Sequence, residues 1–395
     1  MSESGRNPLL RGLPLLGDLP DLDGASVLVR VDFNVPLRPC DDAPAVVTDD
    51  FRIRAALPTL EYLLSHGATV TACTHLGRPQ GAPDTRWELG PVREELARLA
   101  PQVELLENLR FDPGETADDP AFVEKLVNSH DAYVNDAFGV SHRRHASVVG
   151  PPTYLPSAAG LLLEREIEAL GRLLGEPDHP FVAVVGGAKV ADKLGVLKAL
   201  LHHVDALVVG GAMAYTFLAA QGHDIGGSLV DRDRIGECAE LLASDTPIFL
   251  PTDTVALEPG APFGCDCTSG DVRTVGADIP DGWQGLDIGP ETMGAYAELI
   301  TAAGTVLWNG PMGVFEDERF CAGTAAVAAA VAACPGYTVV GGGDSAAAVD
   351  ELGLAEEIGF ISTGGGASLE LLEFGDLPGL AALRGAPNAP GRVTT

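Results

Sequence analysis

Only four lysines serve this 395-residue chain, and three of them, Lys189, Lys193 and Lys198, follow closely on the apolar run FVAVV and the pair Gly186-Gly187. An ammonium group is a compact, strongly hydrated point charge. Two of them four residues apart on a helix share a face, so Lys189 and Lys193 could grip one chain of phosphates. The run before them reads as a buried parallel strand, and a strand that turns through glycine into a helix points backbone N–H groups at an anion. The plainer alternative is a solvated basic face.

A second set of cations is spread over the first half. Arg52 opens a helical pattern over Phe51–His66, where a cation works against the helix dipole and so hints at another task. His75-Leu76-Gly77-Arg78-Pro79, Arg110, and the run His142, Arg143, Arg144, His145 each follow a short apolar segment, and SVLVRVDFNVP runs into Asp32 and Asn34. Ligands gather at the carboxyl ends of strands in open α/β sheets, and a guanidinium fork fits a carboxylate or a phosphate. Turn chemistry would explain Asp32 and Asn34, and ion pairs with the abundant acids would explain the arginines.

These side chains need strands to present them. The spacing predicts strands over Ser26–Pro36, Thr69–Thr74, Val103–Leu106 and near Ala132–Asn135, and then over Phe181–Val185 and from Leu207, Val306, Thr338 and Phe360. The last four also run into turn-forming ends. Five such turns on one side of a parallel sheet would line a phosphate and nucleotide cleft. Leu161–Leu174 is an amphipathic helix between the two sets and reads as a linker. Leu250–Asp278, rich in Pro, Gly and Asp, reads as an excursion with short strands. Ala325–Cys334 is too short to cross a bilayer and reads as a core helix.

Length suggests two domains, and 46% hydrophobic against 21% charged residues allows each a core. A net charge of -31 and a pI near 4.4 argue against nucleic acid or an anionic membrane as partner. Seven scattered cysteines, and a start without a signal-peptide core, point to reduced thiols in the cytoplasm; Cys265-Asp266-Cys267 lacks the second pair a zinc site would want. No GxxxxGK[ST] occurs. GGGDSA, from Gly341, fits the dinucleotide pattern and motivates a nicotinamide-dependent dehydrogenase as a competing class, but no acidic residue ends the next strand.

RVDFNVP, RIRAALPTL, THLGRP, LLENLRF, NDAFGVSHRRH, GGAKVADK, GLDIGP, WNGPMGVFE, GGGDSA and STGGGASLELLE occur in an order that resembles the phosphoglycerate kinase family over nearly the whole chain. The resemblance implies two similar-sized Rossmann-like parallel-sheet domains joined by a helix, with a cleft between them that closes by hinge bending. Its boundaries would be 1–160 for the phosphoglycerate domain, 161–175 for the helix, 176–375 for the nucleotide domain and 376–395 for a tail that returns to the first. It implies ATP/ADP with Mg2+, reversible phosphoryl transfer between 3-phosphoglycerate and 1,3-bisphosphoglycerate, and a monomer.

Carried over position by position, the family's pattern gives Asp32, Asn34, His75, Leu76, Gly77, Arg78, Arg110, His142, Arg143 and His145 to the glycerate, with Arg52 beside the travelling phosphoryl group. Lys189 and Lys193 would meet the phosphates, and Glu316 the ribose. Asp344 would hold the metal. Gly187, Gly211, Asn309, Pro311, Gly342, Gly343, Ser345 and Gly364 to Gly366 would complete the nucleotide seat, with Gly343 and Gly366 at the reacting phosphate. The chain departs from the pattern at Thr74 for Ser, at Arg144 for a small residue, and in the tail after Leu383. A non-catalytic binding protein on the same fold is disfavoured because both lysines, the arginines and Asp344 are kept. The charge fits a salt-rich cytoplasm, of halophilic type, which that chemistry does not itself require.

Overall fold

The computed structural model describes residues 7–40, 43–264 and 267–388. Its chain divides into two compact units: one takes the residues up to Gly171 and again those from Phe374 onward, the other takes Arg172–Glu373. Cys265 and Asp266, the residues before Asn7 and those after Asn388 lie outside the described set, so the zinc question, the very start and the end of the tail fall there.

The first unit is built on β1 (Ser26–Arg30), with β2 (Leu37–Cys40) and β3 (Ala43–Val47) as an antiparallel hairpin beside it. β4 (Thr69–Cys73), β5 (Glu104–Leu105), β6 (Ala132–Asn135) and β7 (Ser157–Ala159) join β1 in a parallel sheet of order β5-β4-β1-β6-β7. Parallel strands are covered on both faces, so their runs are apolar throughout, and Val27, Leu28 and Val29 are fully buried. Each such side chain contributes about 1.5–3 kcal/mol on burial.

The first strand ends at Arg30, well short of the Pro36 expected from its alternation. Val31 N–H still donates to Cys73 O, but Phe33 N–H turns aside to the Thr74 hydroxyl, and Pro36 has no N–H to offer a ladder. Thr74 thus supplies the hydroxyl that a serine would.

The helix Leu161–Leu174 matches its expected span, and the boundary between the units falls inside it. Its start is fixed by Asp136, whose Oδ1 accepts from the N–H groups of Leu162 and Leu163. A Cβ on Gly160 would lie 2.1 Å from that same oxygen, so only glycine fits there. At the far end of the chain the helix Pro378–Arg384 packs on this unit: Gly379 N–H donates to Ser141 O, Arg384 reaches Leu9 O, and Asn388 exchanges bonds with the Ser157 backbone.

The second unit holds β8 (Phe181–Val185), β9 (Ala206–Val209) and β10 (Ile248–Phe249), then the excursion strands β11 (Asp253–Leu257), β12 (Val272–Gly276) and β13 (Gln284–Ile288), and last β14 (Thr305–Asn309), β15 (Tyr337–Gly341) and β16 (Phe360–Ile361). Six of these form a parallel sheet of order β10-β9-β8-β14-β15-β16, and the excursion folds as a separate antiparallel sheet, β12-β11-β13. The apolar run near Val327 is a helix, Ala322–Ala333, with Val327 and Val331 in the core around Trp308. No helix among the described residues is long and apolar enough to cross a membrane.

Candidate functional site

In the first unit, the loops after β1, β4, β5 and β6 bring one carboxylate under a dome of guanidinium groups. Asp32 Oδ2 accepts from Arg52 Nη1 at 2.7 Å, which explains a cation in the first turn of the helix Phe51–Ser65. Burial alone would raise the Asp32 carboxyl, yet Arg52, His75 and Arg30 hold it below the usual carboxylate range.

His75 is buried, and burial first, then Arg30, Arg110 and Arg143, press its pKa well below the ordinary value against the pull of Asp32. Arg110 donates from Nη1 to Gly77 O at 2.6 Å, while its buried Nε has no hydrogen-bond partner. Burial and the neighbouring Arg143 and Arg30 bring the Arg110 guanidinium down to about 10. Arg143 donates to His142 Nε2 at 3.2 Å, and burial followed by Arg143 lowers His142 to about 4. His145 lies 3.6 Å from the buried Glu115.

The remaining expected residues in this unit brace the loop or stand at its rim. Asn34 Oδ1 accepts from Gly77 N–H, and Leu76 is clamped through its N–H and carbonyl by Asn108. Gly77, at φ +61°, faces Trp87, whose ring a Cβ would meet at 2.1 Å. Arg78 is exposed, and Arg144 turns outward to Asp118 at 3.9 Å.

Sequence reasoning passed over Arg30, Asn108 and Glu115. Arg30 sits at the end of an otherwise apolar strand and is fully buried, with Nε on Ser147 Oγ, Nη1 on Val31 O and Nη2 on His75 Nδ1. The signal was there: an arginine in a run whose other members all go inside must find partners inside.

In the second unit a cavity of about 430 Å³ opens at the carboxyl ends of the sheet, lined by Lys189, Lys193, Asn309, Pro311, Asp344 and Gly366 among others. The two lysines do not share a helix face. The helix begins only at Leu194, and Lys189 lies in the loop before it, with Gly187 at φ +109°. Lys193 folds back beneath the turn, where Nζ donates to Gly186 O at 2.6 Å, Asn309 Oδ1 at 2.7 Å and Asn309 O at 3.2 Å. Those acceptors compete with the helical register and win, because a buried ammonium must place all three protons. Burial lowers Lys193 to about 8 despite Asp344 and Asp192. Lys189 is exposed at the rim and forms no ion pair among the described residues.

The glycine turns play a different part from the one expected. Gly186 N–H donates to Asn309 O, Gly187 N–H to Pro311 O, Gly211 N–H to Met312 O, and Gly310 N–H to Ser345 Oγ. These donors are used within the protein. Glycine is needed because the backbones touch: a Cβ on Gly211, at φ +64°, would lie 2.5 Å from Gly187 N. Gly211 therefore lies under the loop, and neither it nor the exposed Glu316 lines the cavity.

Two helix starts also face the cavity, Gly343–Glu351 after Gly342 (φ +93°) and Gly366–Phe374 after Gly364 and Gly365. First-turn N–H groups have no intrahelical partner and carry the positive end of the dipole. Two such ends, Lys189 and an exposed Asp344 make a cradle for an anionic chain accompanied by a cation.

The family model described as phosphoglycerate kinase matches residues 16–105 and 99–374. The chain is 51% identical over 391 residues to a phosphoglycerate kinase of Moorella thermoacetica, covering 92% of this chain and 97% of the relative, and 51% identical over 393 residues to that of Salinispora arenicola, covering 92% and 96%. Among solved structures, the phosphoglycerate kinase of Coxiella burnetii superposes with a TM-score of 0.82 at 35% identity, covering 94% of this chain and 98% of that one. That of Pyrococcus horikoshii does so with 0.81 at 31%, covering 94% and 99%.

Proposed function

Since the chain belongs to the phosphoglycerate kinase family, we propose that its first unit seats 3-phosphoglycerate on the guanidinium dome and its second unit seats ATP in the glycine-bounded cavity. The reaction is reversible phosphoryl transfer between ATP and the carboxylate of 3-phosphoglycerate, giving ADP and 1,3-bisphosphoglycerate. The dehydrogenase reading of GGGDSA falls with the family. In place of a ribose-binding acid, this motif supplies a helix start bearing Asp344.

The observation that carries the reading is the convergence of two helix N-termini and Lys189 on one cavity in a protein of net charge -31. An acidic chain that concentrates positive potential at one place holds an anion there. The attacking group is a carboxylate with no proton to lose, so the chemistry needs alignment and charge neutralisation and no general base. Arg52 in the first unit and Lys189 in the second are each a cation suited to the charge of a phosphoryl group in flight. Arg110, with its free Nε, and Arg143 hold the glycerate's own phosphate.

Asp344 fits magnesium: it and Asp192 are exposed carboxylates that line the cavity, and Asp344 would hold the ion while phosphate oxygens and water would supply its other ligands. When bound, the ion neutralises charge between neighbouring phosphate oxygens. Burial raises the Cys73 thiol to about 12 and the Cys238 thiol to about 11, which suits inert thiols in a reducing cytoplasm. We read the chain as a monomer there, with no nucleic-acid or membrane partner.

A coupled assay for ADP formation with ATP, magnesium and 3-phosphoglycerate tests the activity. Turnover that depends on 3-phosphoglycerate is expected; its absence in active buffer would overturn the reading.

A further inference from the structure

We propose that Arg30 is a positioning residue for the phosphoryl acceptor: by donating to His75 Nδ1 it fixes His75 in the tautomer that carries its proton on Nε2, making the imidazole an uncharged hydrogen-bond donor toward the anion. The inference rests on the reading that His75 faces 3-phosphoglycerate.

A guanidinium has donors only, so at the 3.3 Å contact between Arg30 Nη2 and His75 Nδ1 the imidazole nitrogen accepts. A neutral ring that accepts at one nitrogen bears its proton on the other. Arg30 cannot swing away from this duty. Its Nε is bound to Ser147 Oγ at 2.9 Å, and Ser147 is held through Oγ and N–H by Glu115 at 2.7 and 2.9 Å.

Of the other groups facing His75, Asp32 opposes this and two arginines support it. Among the described residues Asp32 is the one carboxylate paired with Nδ1, but its Oδ1 stands 3.8 Å away and its Oδ2 is taken by Arg52. Arg110, from the loop after β5, and Arg143, from the loop after β6, both disfavour an imidazolium. The charge of the dome then comes from guanidinium groups, which keep it at every physiological pH, and His75 adds a directed N–H. Substrate affinity becomes insensitive to the pH range in which a free histidine titrates.

The test is a two-bond proton–nitrogen spectrum of the full-length protein labelled with 15N-histidine, with the His75 signals assigned by their loss in His75→Gln. The expected pattern is a proton-bearing Nε2 and a bare Nδ1 that hold from about pH 6 to 8. A proton on Nδ1, or an imidazolium within that range, would overturn the proposal. Adding 3-phosphoglycerate should shift the Nε2 resonance. The right tautomer with an unresponsive Nε2 would overturn the proposal through its premise, the substrate assignment, and so identify which of the two failed.

Kinetics give a second readout. KM for 3-phosphoglycerate should change by less than about twofold across this range in the native enzyme. It should rise several-fold from about pH 6 to 8 in Arg30→Met, where Asp32 can recruit an imidazolium that is then lost. Arg30→Lys keeps a donor and should restore the flat profile. A flat profile in a folded Arg30→Met would sink the idea, and if that variant does not fold the native spectrum decides alone.

Discussion

Two cations stand apart at the residue scale because their surroundings leave them something to do. Lys189 is exposed at the cavity with no carboxylate on it among the described residues, and Arg52 is only half committed, with one nitrogen on Asp32. If each meets charge that develops in the transition state, Lys189→Ala and Arg52→Ala should each lower kcat by about a hundredfold or more, as preorganised donors do. Arg110→Ala should act mainly on KM for 3-phosphoglycerate. Steady-state kinetics of the three variants check this, and a near-normal kcat in Lys189→Ala would reduce that lysine to a basic rim. Lys193 is a different case, since its ammonium is tied to Gly186 and Asn309 and shapes the loop from below. Composition marked both lysines as special, but it could not divide their roles. That division depends on Asn309, which is remote in sequence and reaches Lys193 only because β14 pairs with β8.

Elements were legible where burial dictates pattern and illegible where partners come from afar. Parallel strands are apolar on both faces, so β6 and β8 could be read to the residue, and the linking helix showed its stripe. The order β5-β4-β1-β6-β7 left no mark in the sequence, because register between distant strands is settled by packing. The loop after β8 was misread as helix for the same reason. Its residues have helical spacing, and only the Lys193 contacts show why the first turn is not made.

The helix Leu161–Leu174 also carries a titration. Burial raises Asp136 to about 7 even though Thr59, Leu163 and Leu162 donate to it, and its Oδ2 has no partner. A carboxyl with a raised folded pKa binds more protons folded than unfolded between about pH 4 and 7, so its share of stability is present below that window and is lost as pH rises through it. His75 and His142, pressed downward, act with the opposite sign up to about pH 6.5. The native profile is therefore a composite, and the difference between Asp136→Asn and native isolates the cap. The melting temperature of the variant relative to native should climb from pH 5 to 8. A constant difference would mean that Asp136 stays charged.

The whole molecule carries -31, with 56 acidic residues against 25 lysines and arginines. Such a body repels itself, and the repulsion fades as the screening length falls from about 10 Å at 0.1 M salt to about 3 Å at 1 M. Melting midpoints in potassium chloride should rise across that range. KM for 3-phosphoglycerate should rise as well, because the same screening weakens the arginine dome. A flat or falling midpoint would remove the case for salt adaptation. If the two substrates are seated on different units as proposed, in-line transfer requires the units to close on each other, and enclosure keeps water from intercepting the phosphoryl group. X-ray scattering should therefore show a smaller radius of gyration with both ligands than with neither, and an unchanged radius would argue against such a closure.

The return of the chain from Phe374 to the first unit gives the two halves different histories on the ribosome. The second unit is continuous in sequence, so every residue of it has been synthesised once Glu373 is joined. The first unit began much earlier, yet it waits for Gly379 to meet Ser141, for Arg384 to reach Leu9 and for Asn388 to bind Ser157. Domains tend to fold as units during synthesis, amino-terminal first. Here that order is inverted at the last step: the half that starts the polypeptide can be completed only after the half that follows it. A chain that ended at Glu373 would hold every residue of the second unit and lack the Gly379, Arg384 and Asn388 contacts that complete the first.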